Sequence, residues 1–231
     1  PPRLLCFCSN SMDEAHPFVS FTYHWYVKRS IQEIGMVKRT SEQAEETRRA
    51  IFDAARQLFE TEGYSGASIA SIVAAAGTTK GALFHHFASK EALFLEVWKS
   101  LQLQMDTDAR AAAAAGRSKE DPYAAMLAGT RVYFKWAATP AYQQIVLIDG
   151  RAVMGLARWQ ENDDRLGRSN VEQGVRYLAR RGMISEEGVV PLSVMLLNAL
   201  NGAGFALTRK DPGITEETLF AAFEKLLRGL R

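Results

Sequence analysis

Apolar residues recur at helical spacing along most of the chain. Ile51, Ala55 and Phe59 are spaced four residues apart, which places them on one face of an α-helix. Shorter apolar stripes follow, each bounded by a glycine or a helix-capping residue. The second half continues in the same way, and no hairpin signal interrupts it. The pattern predicts an all-α protein with about nine helices.

Capping residues and glycines indicate where the helices begin and end. Thr40 and Gln43 fit a capping box, so we expect the first long helix to begin near residue 40 and to end at Gly63. Ser68 and Ser89 are expected to cap the second and fourth helices. The stretch YQQIVLID could be read as a lone strand, but a single strand would have no partner, so we assign it to a helix.

The first 35 residues differ from the rest of the chain. Their aromatic stretch FVSFTYHWYV shows no helical period, and Met36 then opens a sequence that resembles an ordinary protein start. We expect residues 1–35 to be an extension that is disordered or lies outside the native folded unit. The alternative is an arm that packs on the body of the protein.

The composition is typical of a soluble globular protein, with 47% hydrophobic and 23% charged residues. Because the formal net charge is only +2, binding to a polyanion would need a local basic patch. Cys6 and Cys8 are too close together to staple a fold, which favours a reducing, cytoplasmic location. The sequence predicts no cofactor and no metal site.

Residues 75–92, AGTTKGALFHHFASKEAL, combine a tight turn with a short helix that is half apolar and half basic. Gly77 allows a sharp turn, and Thr79 can cap the helix that follows. Leu83 and Phe87 are four residues apart and are expected to face the core. A short helix, a glycine turn and a second short helix form the helix-turn-helix, whose second helix lies in the DNA major groove.

Around this motif the sequence resembles the tetracycline-repressor (TetR) family of bacterial transcription regulators. The resemblance covers about residues 45–98 without a gap, through TRRAIFDAARQLFETEGYSGAS, IASIVAAAGTTKGALFHHF and SKEALFLEVW. It implies a homodimer whose subunits each carry an N-terminal three-helix DNA-binding domain and a larger helical domain for ligand binding and dimerisation. We therefore expect residues 36–91 to form the DNA-binding domain, with the helix-turn-helix at about 68–87, and residues 92–231 to form the helical domain.

The resemblance and the residue types together predict the side of the motif that faces DNA. Phe84 stands where the family often has a tyrosine whose hydroxyl meets a phosphate. Lys90 is expected to contact a phosphate at the start of the fourth helix. The predicted DNA-binding residues are Ser68, Thr78, Thr79, Lys80, Gly81, Ala82, Phe84, His85, His86 and Lys90.

The C-terminal half carries two weaker sets of candidates. Its aromatic residues either fill a core or line a small-molecule pocket with a few polar groups. The candidate pocket residues are Tyr123, Phe134, Tyr142, Asp149, Arg151, Met154, Trp159, Asn198 and Asn201. The last two helices either pack within their own subunit or pair with a second copy. The candidate dimer residues are Leu192, Leu196, Leu200, Ala203, Leu207, Phe220, Phe223 and Leu227.

An enzyme is not expected, because no histidine follows His86 and no cysteine follows Cys8. These absences remove histidine-assisted nucleophiles from the whole C-terminal half. The sequence favours a DNA-binding transcriptional regulator, most readily a repressor that a small molecule releases from its operator. Two alternatives stay open: a DNA-associated structural or division-control protein, and a helical ligand-binding protein without operator function.

Overall fold

The structure is a computed structural model that describes the backbone of residues 17–229 and the side chains of residues 41–162 and 167–229. Within these residues it is all-α, as predicted. Nine α-helices occur in the described part: α1 (Pro17–Gly66), α2 (Ile69–Ala75), α3 (Lys80–His86), α4 (Lys90–Ala115), α5 (Ala124–Ala137), α6 (Gly150–Met154), α7 (Leu156–Arg180), α8 (Val189–Arg209) and α9 (Glu216–Gly229). A π-helical segment, Tyr142–Asp149, and a 3-10 turn, Glu186–Gly188, complete the set.

Helix α1 begins earlier than the sequence predicts. The backbone is helical from Pro17, although we expected the helix to begin near Thr40. An apolar period reports a buried face rather than helicity itself, and Pro17 suits the first turn of a helix. Residues 1–16, including Cys6 and Cys8, lie outside the described residues. The chain divides into two compact units, Pro1–Glu46 and Thr47–Arg231, and the expected boundary between residues 91 and 92 stays a prediction.

Gly63 breaks α1 at the predicted position. Its backbone has φ 71° and ψ 170°, which a residue with a Cβ adopts only with strain. Before the break, Ile51, Ala55 and Phe59 are fully buried on one face of the helix. The break turns the chain towards α2 and places Tyr64 against Phe59, with ring centroids 5.9 Å apart.

The core of the larger unit is centred on α4 and the π-helical segment. Trp98 of α4 and Tyr142 of the π-helical segment are among its largest fully buried side chains. The Val146 carbonyl accepts hydrogen bonds from the indole N–H groups of Trp98, at 3.4 Å, and of Trp159 from α7, at 3.3 Å. Because a buried indole N–H needs a partner, this carbonyl fixes both tryptophans around the segment.

Gly150 follows the π-helical segment at the point of closest approach to α4. A Cβ at this position would lie 2.6 Å from Nε1 and 2.9 Å from Cδ1 of Trp98. Glycine is therefore required here by the close contact between the backbone and a rigid ring.

An ion-pair cluster joins the last helix to the start of α5. Arg228 donates to both carboxylate oxygens of Asp121, at 3.2 and 2.7 Å, and to Glu224 at 2.9 Å. Asp121 also accepts the backbone N–H of Tyr123 at 2.9 Å. The hydrogen bonds from Arg228 lower the pKa of Asp121 below its ordinary value of 3.8, and the same partners raise the pKa of Arg228.

We predict that Gly150→Ala destabilises the protein by about 1–3 kcal/mol, the usual cost of adding a methyl group to a packed site. Urea unfolding would measure the change. Gly81→Ala is the matched control, because its Cβ would meet no atom closer than Thr79 Oγ1 at 3.8 Å and alanine favours helix. Equal destabilisation by both variants would contradict the close packing of Gly150 on Trp98.

We predict that Asp121→Asn removes part of the acid sensitivity of folding. A carboxyl whose pKa is lowered in the folded state stabilises it above pH 3.8, and this contribution is lost as the pH falls through the lower folded-state value. Thermal unfolding between pH 7 and pH 2 would measure the difference. Arg228→Gln should flatten the profile in the same way, and the double variant should lose no more; additive losses would argue against a shared ion pair.

Candidate nucleic-acid interface

The turn between α2 and α3 has the geometry predicted for a helix-turn-helix. Gly77 has φ 61°, and the N–H of Thr78 donates to the Val73 carbonyl at 2.9 Å. Ile72 of α2 and Leu83 of α3 are fully buried. The buried faces of the two helices therefore hold the outer side of α3 in one orientation.

Each helix of the motif begins with the predicted cap. Ser68 and Ser71 form a reciprocal capping box at 3.0 and 2.9 Å. Thr79 Oγ1 accepts the N–H of Ala82 at 3.2 Å, and Ser89 Oγ accepts the N–H of Ala92 at 3.0 Å. These caps confirm the predicted helix starts and satisfy N–H groups that would otherwise have no partner.

The predicted DNA-binding residues form a largely exposed side of the motif. Leu83 and Phe87 are buried, as expected for its inner side. Among the predicted residues, those that are exposed are Ser68, Thr79, Lys80, Gly81, Phe84 and His85, and those that are half-buried are Thr78, Ala82, His86 and Lys90. The structure thus brings a lysine, hydroxyls and small residues onto one accessible surface.

Phe84 is the unusual member of this surface. Its aromatic side chain is 51% exposed and lies one helical turn after Lys80. An exposed phenylalanine contributes no buried area to its own fold, but it can contact the methyl group of thymine in the major groove.

His85 and His86 lie in edge contact, with ring centroids 5.2 Å apart and an interplanar angle of 72°. Within the described residues, no group of three or more histidine, cysteine or carboxylate side chains is arranged to hold a metal ion. Both rings are therefore assigned to the surface of α3 as hydrogen-bonding groups.

Lys90 is held beside the predicted interface by an aromatic ring. Its ammonium nitrogen lies 4.3 Å from the ring centroid of Tyr64. Partial burial and the neighbouring Glu91 raise the pKa of Tyr64, so the ring stays neutral around pH 7. Tyr64 thus limits the conformational freedom of a cation placed at the exposed start of α4.

Arg48 supports the recognition helix from behind. Its guanidinium stacks on Phe87, the residue that ends α3, at 4.9 Å from the ring centroid. The same guanidinium forms an ion pair with Glu96 of α4. Arg48 therefore links α1, the end of α3 and α4.

Asp149 contacts the end of α1. Its carboxylate accepts the backbone N–H of Tyr64 at 2.6 Å. A Cβ on Gly63 would lie 3.1 Å from Gln144 Nε2 and 3.4 Å from Asp149 Oδ2. The predicted pocket residue Asp149 thus joins the helical domain to the turn that precedes the helix-turn-helix.

The structure scatters the other predicted pocket residues. Phe134, Tyr142, Met154 and Trp159 are buried in the packed core, and Tyr123 lies under the Arg228 guanidinium at 5.5 Å. Arg151 stacks on Phe205 at 4.4 Å and approaches Trp159 at 5.7 Å. On α8, Asn198 is exposed and Asn201 is half-buried. Only Arg151 and Trp159 of the set are thereby placed in direct contact by these observations, and the pocket assignment stays a prediction.

Most of the predicted dimer residues pack within their own subunit. The buried ones are Leu196, Leu200, Leu207, Phe220, Phe223 and Leu227, while Leu192 and Ala203 are half-buried. The opposite side of α8 is exposed and includes Met195, which is 66% exposed, with Ala199 and Gly202; Leu226 of α9 is 50% exposed. Sequence periodicity found the apolar helices but not which of their faces a single subunit covers.

The segment Glu186–Arg209, which contains α8, is long and apolar enough to cross a membrane by length and composition, and only 33% of its apolar window is buried. An exposed apolar helix face of this kind is equally what a subunit interface of a soluble protein requires.

Two family profiles match the chain. Residues 51–97 match the profile described as bacterial regulatory proteins of the TetR family. Residues 123–230 match the profile described as a tetracyclin repressor-like C-terminal domain. The first match contains the whole helix-turn-helix, and the second begins just before α5.

Curated proteins match over the N-terminal region. The transcriptional regulator AcrR of Shigella flexneri is 44% identical over 64 residues, which are 28% of this chain and 30% of that protein. The regulator TtgR of Pseudomonas putida is 41% identical over 76 residues, 33% of this chain and 36% of that protein. The matched region thus spans about a third of the length of these relatives. Their names describe regulators, not enzymes.

Solved structures match over most of the chain. A TetR-family transcriptional regulator from Pectobacterium atrosepticum is 30% identical, with a TM-score of 0.66 over 82% of this chain and 96% of that one. The fatty acid degradation regulator FadR from Bacillus halodurans is 19% identical, with a TM-score of 0.65 over 78% of this chain and 97% of that one, and this likeness concerns the fold alone.

We predict that Asp149→Ala frees the Tyr64 amide. Loss of a hydrogen bond to a charged acceptor should cost roughly 1.5–3 kcal/mol of folding stability, and exchange of the Tyr64 N–H with solvent deuterium should accelerate. Amide exchange followed by NMR would measure this. Asp149→Asn keeps an acceptor oxygen and should show a smaller effect. Unchanged exchange in the alanine variant would contradict the contact.

Proposed function

Because the chain belongs to the TetR family of bacterial transcription regulators, we propose that it is a sequence-specific DNA-binding regulator, acting as a repressor. The exposed side of α3 is the observation that carries this proposal. Lys80 stands at its accessible start, and Gly81 leaves room for a close approach to DNA. Phosphate contacts from Lys90 and the helix caps would position the protein, and contacts from α3 to base edges would specify the sequence.

The proposed regulator is a homodimer that meets DNA through two copies of α3. The exposed apolar face of α8 and the exposed Leu226 of α9 supply a surface on which two copies can associate. A two-fold symmetric dimer presents its recognition helices to two half-sites of a palindromic operator. Proteins of this family are soluble, which supports a cytoplasmic location where the operator is accessible.

A small-molecule effector would release the repressor from its operator. The helical domain is joined to the DNA-binding region through Asp149 and Tyr64, and through an ion pair of 3.1 Å between Arg158 of α7 and Glu91 of α4. An effector that favours a different arrangement of these helices can shift the DNA-binding equilibrium. Curated relatives that are named repressors, including AcnR of Corynebacterium glutamicum, support this sign of regulation.

Capture of genomic fragments by the purified protein, followed by sequencing at several salt concentrations, tests the proposal. One or a few enriched palindromes would support a local regulator and identify its operator. Enrichment spread over the genome would favour a DNA-associated structural protein. No enrichment at any salt concentration would favour a helical ligand-binding protein without operator function.

We predict that Lys80→Ala and Lys90→Ala weaken DNA binding in different ways. A base-reading lysine should cost about 1–3 kcal/mol and relax the preference at one operator position. Loss of a phosphate contact should weaken all DNA similarly and reduce the salt slope by about one. Fluorescence anisotropy with operator and scrambled duplexes separates the two effects. Equal loss of selectivity in both variants would contradict this division of roles.

A further inference from the structure

A groove of about 730 Å³ lies between α1, α4 and α5, apart from the predicted pocket residues. Phe52 of α1, Leu103 of α4 and Trp136 of α5 supply its apolar surfaces. Leu103 is 51% exposed, and Phe52 and Trp136 are half-buried. The volume lies in the range of sites that bind small organic molecules.

The polar groups of the groove differ in whether they already have partners. Glu96 is paired with Arg48, and Asp108 accepts the indole N–H of Trp136 at 3.0 Å. Lys99 pairs with no carboxylate among the described residues, and the side chains of Ser100 and Gln104 make no hydrogen bond there. The groups available to a ligand are therefore chiefly donors, headed by one ammonium group.

The groove is connected to the recognition helix through two contacts. Glu96 lies in its wall and forms the ion pair with Arg48, whose guanidinium stacks on Phe87 at the end of α3. A molecule that moves Glu96 would therefore change the support of α3. This path does not pass through Asp149 or the packed core.

We propose that this groove binds an amphipathic organic anion with an aromatic body, and that binding there alters DNA affinity. The rings of Phe52 and Trp136 contact the apolar body, and Lys99, Ser100 and Gln104 bind the anionic group. The inference rests on the proposed regulatory function for its effect on DNA, but binding itself can be measured without DNA.

Three probes of one shape and different charge test the binding step. Titration calorimetry with the full chain would compare 2-naphthoate, neutral 2-naphthalenemethanol and cationic 2-naphthylmethylammonium. We expect 2-naphthoate to bind most tightly. Lys99→Gln should weaken 2-naphthoate by about two- to fivefold, as expected for an exposed ion pair, and should leave the neutral probe unchanged. Lys135→Gln is the matched control, because Lys135 is exposed on α5 outside the groove lining.

Trp136→Leu distinguishes the groove from other apolar surfaces. It should weaken the anionic and neutral probes by roughly tenfold through loss of the aromatic contact, whereas Leu226→Ala on α9 should not. Equal affinity for all three probes, or 2-naphthoate binding that is insensitive to both Trp136 and Lys99, would overturn the proposal.

The operator identified by genomic capture provides the second step. In the wild-type protein 2-naphthoate should change operator affinity, and in Arg48→Gln it should bind without changing it. Binding with no effect on the wild-type operator complex would overturn the regulatory half of the inference while leaving the DNA-binding proposal intact. Failure to capture any operator would instead count against the proposed function, whatever the calorimetry shows.

Discussion

The hydrogen bond from the Tyr64 N–H to Asp149 is the contact on which the arrangement of the DNA-binding region depends. Gly63 breaks α1 with a positive φ, and the next amide would lack a helical acceptor if Asp149 did not provide one. A carboxylate that accepts a backbone N–H forms a strong hydrogen bond and so fixes the direction in which the chain leaves the helix. Tyr64 then contacts Lys90 and Phe94 of α4, so one bond orients two elements.

The position of Asp149 depends in turn on the π-helical segment. π-Helical hydrogen bonding is rare and occurs often at functional sites. In this segment Val146 accepts from two indoles, and Gly150 packs directly on Trp98. The end of the segment that carries Asp149 is therefore joined to α4 and α7. A change in the packing of these helices would be transmitted to Tyr64 through few and stiff contacts.

The sequence predicted the features that depend on local chemistry. Ser68, Thr79 and Ser89 cap the helices, and Gly63 and Gly77 adopt positive φ values, because each effect involves residues a few positions apart. It did not predict the role of Asp149, whose partner is 85 positions away, or the π-helical geometry of a segment read as ordinary helix. It also could not tell which faces of α8 and α9 a single subunit covers, because apolar period does not distinguish an inner core from an outer interface.

The same distinction explains why packing residues and DNA-facing residues can alternate within one short helix. Leu83 and Phe87 are buried and hold α3 in place, while Lys80 and Phe84, one turn apart, remain accessible. Arg48 adds a third requirement, because its guanidinium satisfies Glu96 and covers Phe87 together. A cation shared between a carboxylate and an aromatic ring is sensitive to any competitor for either partner. The orientation of the recognition helix thus depends both on a fixed apolar seam and on an electrostatic contact that lies beside an open groove.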